Sequence, residues 1–170
     1  MKISLISDTH RYLDPEFFNY TKECDMIGHA DDIGNVSLLD KLENFKPFRA
    51  VFGNIDSQKI RLRTSETTFF SFGGMNIMMT HIAGKPPSYT KKIRTQLLDK
   101  QPNILVCGHS HILKVLFDKK NKIFYMNPGA AGRQGFHKVK TLLRFEIDDR
   151  KIFNIEAIEF GPRAQKKKIS

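Results

Sequence analysis

The sequence predicts an α/β protein of two packed sheets with helices on the outside. The first third alternates strand, helix, strand, helix, strand, which is the rhythm of a parallel sheet. After Asp56 the rhythm changes to closely spaced strand pairs, the mark of antiparallel hairpins. Histidine and aspartate gather where apolar runs give way to polar loops, and in a parallel sheet those ends share one crevice.

Lys2 to Ser7 is a short apolar run that stops at Asp8, a buried first strand. Pro15 to Lys22 reads as a short helix with proline in its first turn. Asp25 to Gly28 is the second strand. Val36 to Asn44 is a helix, with Leu38, Leu39 and Leu42 on one face. Arg49 to Phe52 closes the parallel unit at Gly53. Thr67 to Phe72 and Asn76 to Thr80 form a hairpin, with Gly73 and Gly74 as its turn. A helix runs from Tyr89 to Lys100, ended by Gln101-Pro102, and Ile104 to Cys107 is another buried strand. Two hairpins finish the chain: Lys114–Asp118 with Lys122–Met126, and Thr141–Ile147 with Lys151–Phe160.

The chain has 170 residues, the size of one domain with one substantial core. Residues 1–162 are read as that domain, and 163–170 as a basic tail following Gly161-Pro162. A hydrophobic share of 40% and a charged share of 27% are those of an ordinary globule, and no apolar run is long enough to cross a bilayer. The opening residues contain no signal-peptide core or cleavage site, so a cytoplasmic location is expected. Cys24 and Cys107 adjoin apolar runs and read as buried reduced thiols. The net charge of +10 would attract nucleic acid, yet no basic stripe with interleaved aromatics is present. A lysine-rich solvated surface is the preferred account.

Five short stations carry the chemistry: Asp8-Thr9-His10, His29-Ala30-Asp31-Asp32, Gly53-Asn54-Ile55-Asp56, Thr80-His81 and Gly108-His109-Ser110-His111. Imidazole, carboxylate and amide oxygen together suit borderline divalent metals such as Mn, Fe, Co, Ni or Zn. Five stations exceed the needs of one tetrahedral site, so two neighbouring cations are expected. Two cations point to hydrolysis at phosphorus. Asp8 and His10, one residue apart, project to one side of an extended chain and can grip one ion; His109 and His111 repeat the spacing.

This ordered set resembles the calcineurin-like metallophosphoesterase superfamily. The short length and Asn127-Pro128-Gly129 resemble its small YfcE-like phosphodiesterase branch. The resemblance runs from Asp8 to about Gly129. It implies a four-layer αββα sandwich of two mixed sheets flanked by helices, with the site at strand ends. It implies one metal on Asp8, His10, Asp32 and His111, and a second on Asp32, Asn54, His81 and His109, with Asp32 shared. Asp32, Asn54 and His81, together with Asp56, are then the residues expected in the reaction, hydrolysis of a small diester by a metal-bridging hydroxide.

The chain departs from that pattern at four places. Ile55 stands where larger members carry a histidine that assists the leaving group, and Asp56 beside it is at best a supporting carboxylate. Asp31 replaces a glycine, leaving two adjacent candidates for the shared ligand; the register favours Asp32. Arg11 replaces another glycine and is a candidate phosphate contact, as is Arg133. Ala130 replaces a frequent serine. His29 and His137 are read as structural, and Lys85, Tyr89, Lys91 and Lys92 as a solvated entry to a helix. The expected partner is a small phosphodiester rather than nucleic acid or membrane, and self-association is compatible with the sequence. A non-catalytic scaffold on the same fold, as in the retromer-subunit branch, and a nuclease are the competing functions.

Overall fold

A computed structural model describes residues 1–164. The first five elements are β1 (Lys2–Ile6), α1 (Glu16–Thr21), β2 (Met26–His29), α2 (Val36–Phe45) and β3 (Phe48–Ala50). A single-turn helix, α3 (Gln58–Arg61), leads to the hairpin β4 (Thr67–Phe72) and β5 (Met75–Thr80). A small ribbon, β6 (Gly84–Lys85) with β7 (Ser88–Tyr89), precedes α4 (Lys91–Lys100) and β8 (Ile104–Val106). The chain ends in β9 (Leu113–Asp118), β10 (Ile123–Pro128), β11 (Val139–Asp148) and β12 (Lys151–Pro162).

Two five-stranded mixed sheets result, ordered β12-β11-β1-β2-β3 and β4-β5-β8-β10-β9. In the first, β1, β2 and β3 are parallel and β11 runs antiparallel to β1. In the second, β5, β8 and β10 are parallel, with antiparallel β4 and β9 on the edges.

Side-chain alternation makes the layers. Ile3 and Leu5 of β1 meet Ile77, Met79, Ile104 and Val106 of the second sheet in the core between sheets. Ile6 and Ile27 face the other way, onto Phe17, Leu38, Leu39, Leu42 and Ile60 of the first three helices. Met78 and Leu105 face outward onto Ile93 of α4. Each such fully buried side chain is worth roughly 1.5–3 kcal/mol. The order is helices, sheet, sheet, helix: the four-layer αββα sandwich.

The structure departs from the sequence reading in four ways. The last hairpin returns across the molecule to lie beside β1, because Leu143, Phe145 and Ile147 on its inner face complete the core between sheets. α3 and the β6–β7 ribbon are too short to leave a periodic signal. Tyr89 does not open α4: Thr90 caps it, its hydroxyl accepting from the Ile93 N–H at 3.3 Å, and Tyr89 is buried, donating to Asp118 Oδ2 at 2.9 Å. Finally, Arg163 is tied down, its backbone and Nε donating to the carbonyls of Lys138 and His137 at 3.0 and 2.9 Å. The rest of the basic tail lies, Ala164 apart, outside the described residues. Cys24 and Cys107 are free and buried, and among the described residues no helix is long and apolar enough to cross a membrane.

Candidate metal centre

Every expected metal ligand lies at the end of a strand or in the loop just after it. Asp8 and His10 follow β1, Asp32 follows β2, Asn54 follows β3, His81 follows β5, and His109 and His111 follow β8. The loops are sharply bent. Asp8, His10, Asp32, His109 and His111 have φ of 52°, 47°, 40°, 67° and 57°, in the left-handed region. Asp and His enter that region more readily than bulky or β-branched residues, but not free of strain. Backbone hydrogen bonds hold the bends: Asp8 N–H to the Asp31 carbonyl and His10 N–H to that of Asp32, each 3.0 Å.

The side chains converge in three overlapping groups. Asp8, His10 and His111 offer ligand atoms all within 4.8 Å of one another; so do Asp31, His81 and His109, and so do Asp8, Asp31 and Asp32. His10 Nε2 and His111 Nε2 lie 3.4 Å apart, and His111 Nε2 is 3.1 Å from Asp8 Oδ1. The His81 and His109 rings meet edge to face with centroids 4.8 Å apart, and His81 Nδ1 touches Asp31 Oδ1. His10 Nε2 stands 3.8 Å from Asp32 Oδ2, while Asp32 Oδ1 accepts from the Ile55 N–H at 3.2 Å. Asn54 is exposed, and among the described residues no hydrogen bond ties it to the cluster.

Electrostatics indicate what this cluster is suited to hold. Asp8 and Asp31 are fully buried and Asp32 nearly so, and three carboxylates in a dry place repel one another. Burial, aided by the charges of Asp8 and Asp32, pushes Asp31 up to about 10. Burial also works against Asp8, but His111 and the Ser7 hydroxyl outweigh it and bring Asp8 below the usual range. Asp8 holds His111 above its ordinary value; burial and His109 push His81 below. His10 Nδ1 and Asp31 Oδ2 are buried without a hydrogen-bond partner, while Asp8 Oδ1 has only the His111 contact and Asp31 Oδ1 and His81 Nδ1 have only each other. Each orphaned buried polar atom costs about 1–3 kcal/mol. Divalent cations would remove both penalties, so the donor set fits them.

Other expected residues have different surroundings. Both oxygens of Asp56 are occupied by backbone donors: Gly34 at 2.6 Å on Oδ1, Gly53 at 2.9 Å and Ile33 at 3.2 Å on Oδ2. It ties the loop after β2 to the loop after β3, a supporting position beside the cluster. Arg133 is stacked on Tyr12, its guanidinium 3.6 Å from the ring centroid, and donates to the Tyr12 hydroxyl at 2.7 Å. Arg133 is half-buried. Arg11 is exposed, with its backbone fixed to Ile33. His29 is buried against Thr9 Oγ1 at 2.9 Å, and burial lowers it to about 4, a structural histidine. His137 accompanies the site, its ring 5.4 Å from that of His111, with Nε2 3.0 Å from the Gly132 carbonyl.

Sequence reasoning missed three supports. Asn127 donates to the Gly108 carbonyl at 2.9 Å and to Ser110 Oγ at 3.1 Å, holding the loop that presents His109 and His111. Ser7 Oγ makes two short contacts, with Asp8 Oδ2 at 2.6 Å and the Gly129 carbonyl at 2.7 Å. Gly53 lies where any Cβ would overlap the carboxylates of Asp31 and Asp32. The glycine before Asn54 and the Asn127-Pro128-Gly129 run were the available signals.

Residues 1–150 match the calcineurin-like phosphoesterase superfamily domain. A probable metallophosphoesterase of Methanothermobacter thermautotrophicus is 25% identical over 135 residues, 76% of this chain and 77% of that protein. Among solved structures, an archaeal phosphodiesterase superposes with a TM-score of 0.72 at 16% identity, covering 94% of this chain and 100% of its own. Vps29 of Entamoeba histolytica in complex with zinc gives 0.69 at 18% identity, covering 96% and 100%.

Proposed function

The chain belongs to the calcineurin-like phosphoesterase superfamily, and from that premise we propose a metal-dependent phosphodiesterase of the small YfcE-like branch. Its substrates are small, nucleotide-like diesters. The observation that carries this reading is the convergence of Asp8, His10 and His111 on one side and His81 and His109 on the other, with aspartates between. Asp8, His10, Asp32 and His111 would hold one divalent cation and Asp32, Asn54, His81 and His109 a second; Mn, Ni, Zn, Fe and Co all suit these donors. Residues 1–162 act as one domain, because the ligands come from both sheets, and the reaction is cytoplasmic.

Bound cations supply Lewis acidity at phosphorus and acidify water. The chain's own residues do the rest. Ser7 and Asn127 fix the Asp8 carboxylate and the histidine loop, and Asp56 fixes the loops that carry Asp32 and Asn54. Ile55, partly exposed at the rim, offers no proton to a departing alkoxide, so esters with acidic alcohols react most easily. Arg11 is the rim cation free to meet a phosphoryl oxygen.

Two clefts part at the loop from His109 to Ile112. One, of about 380 Å³, is lined by Ile82, Pro86, His109, Ile112, Lys114 and Tyr125. The other, of about 450 Å³, is lined by His109, His111, Ile112, Phe136 and His137. A diester has two organic arms, and each cleft accommodates one, the first suited to a base or aryl ring.

The test is to strip the protein of metal, titrate Mn or Ni, and follow release of an aryl alcohol from a bis-aryl phosphate. Metal-dependent turnover is expected, and its absence with every metal offered would remove the enzymatic reading. The likeness to Vps29 favours one alternative, a scaffold that binds protein across the exposed apolar residues Ile82, Ile112 and Phe136. That reading predicts no turnover.

A further inference from the structure

We propose that Asp31 is a third carboxylate ligand of the metal centre, and that its charge selects diesters over monoesters; the substrate half rests on the phosphoesterase reading. Asp31 is fully buried, and neither of its side-chain oxygens has a hydrogen-bond partner. Oδ1 touches His81 Nδ1, and the residue groups with His81 and His109. Asp32, its neighbour in sequence, leans the other way, with Oδ2 toward His10 and Oδ1 on the Ile55 N–H. Asp31 therefore adds a carboxylate on the His81 side, next to the Asp32 assigned to both sides. The family pattern has glycine at position 31 and supplies no such group.

The bland alternative is a buried neutral acid. A neutral carboxyl is also a hydrogen-bond donor, and donors in a dry interior find acceptors. Asp31 Oδ2 has no such acceptor, and Oδ1 meets His81 Nδ1, itself a metal donor. Space is kept for it as well, since a Cβ at Gly53 or Gly108 would collide with the Asp31 side chain. A cation satisfies both oxygens.

The consequence lies in the charge. Two divalent cations with a hydroxide nucleophile would keep a single positive charge facing two carboxylates and none facing three. A diester monoanion then adds one negative charge to a neutral centre, whereas a monoester dianion adds two in a low-dielectric site. Removing Asp31 therefore opens the centre to monoesters.

The experiment compares the wild type, Asp31→Gly and the near-isosteric Asp31→Asn. Manganese binding to the metal-free proteins is measured by titration calorimetry, and kcat/KM is measured for a bis-aryl diester and an aryl monoester. Both variants should bind the weaker manganese ion at least about tenfold less tightly. The ratio of diester to monoester kcat/KM should fall by about tenfold in Asp31→Gly. Two manganese ions bound with wild-type affinity by a folded Asp31→Asn would overturn the ligand assignment, as would no uptake by the wild type. An unchanged ester ratio would overturn the selectivity. Should the variants lose metal while even the wild type cleaves no ester, the ligand assignment stands and the phosphoesterase reading falls.

Discussion

Replacing Asp56 by alanine separates a structural carboxylate from a reactive one. Three backbone N–H groups, those of Ile33, Gly34 and Gly53, converge on its two oxygens at 3.2, 2.6 and 2.9 Å. The carboxylate is almost fully buried, at 5% exposure. Removing it strands donors that cost about 1–3 kcal/mol each, partly relieved by water entering the space vacated. A total of about 3–5 kcal/mol is expected, a large part of a typical domain stability of roughly 5–15 kcal/mol. With a urea slope of roughly 2 kcal/mol per molar, the unfolding midpoint of metal-free protein falls by about 1.5–2.5 M. Because the same N–H groups shape the loops of Asp32 and Asn54, metal affinity falls as well. Urea titrations monitored by circular dichroism, with and without manganese, measure both effects. A midpoint within about 0.5 M of wild type, together with a selective loss of kcat, would refute the positioning role and return Asp56 to the reacting groups.

Three further outcomes follow from the same geometry. Gly53→Ala drives a methyl group into the carboxylates of Asp31 and Asp32; metal affinity by calorimetry should drop at least about tenfold, and wild-type affinity would contradict the packing described. His29 is fully buried and its folded value, about 4, lies below the ordinary 6.5, so the unfolded chain binds the extra proton. Its neutral burial costs nothing above pH 6.5 and about 3 kcal/mol once pH has fallen to 4. In metal-free protein, His29→Gln should flatten the stability profile across that window, and an unchanged slope there would count against it. Chelation leaves Asp8, Asp31 and Asp32 facing one another without counter-charge; the melting temperature should fall by several degrees and recover with manganese, through binding to the folded state alone.

The local rhythm of the fold was readable because it is written in periodicity. The alternation of β1, with Ile3 and Leu5 on one face and Ile6 on the other, and the leucine stripe of α2 place both elements in their layers. What periodicity cannot show is which strand a distant hairpin will pair with. β11 joins β1 through contacts more than a hundred residues apart, decided by the three-dimensional fit of Leu143 and Phe145. The order of the stations likewise brought most candidate ligands into view, since each follows a strand end. The share taken by Asp31 was harder to see. Adjacent aspartates look interchangeable on paper, and only the backbone sends one toward His81 and the other toward His10. The engagement of Arg133 with Tyr12 and of Asp56 with three amides is likewise invisible in one dimension.

The left-handed turns at Asp8, His10, Asp32, His109 and His111 make the cage a property of the scaffold and not of its cargo. Neighbouring amides and carbonyls hold these turns, so an arriving ion finds its donors already gathered and sheds water without waiting for the chain to rearrange. A chain that exchanged these side chains for asparagine or glycine would keep the same backbone turns, ready for a different guest.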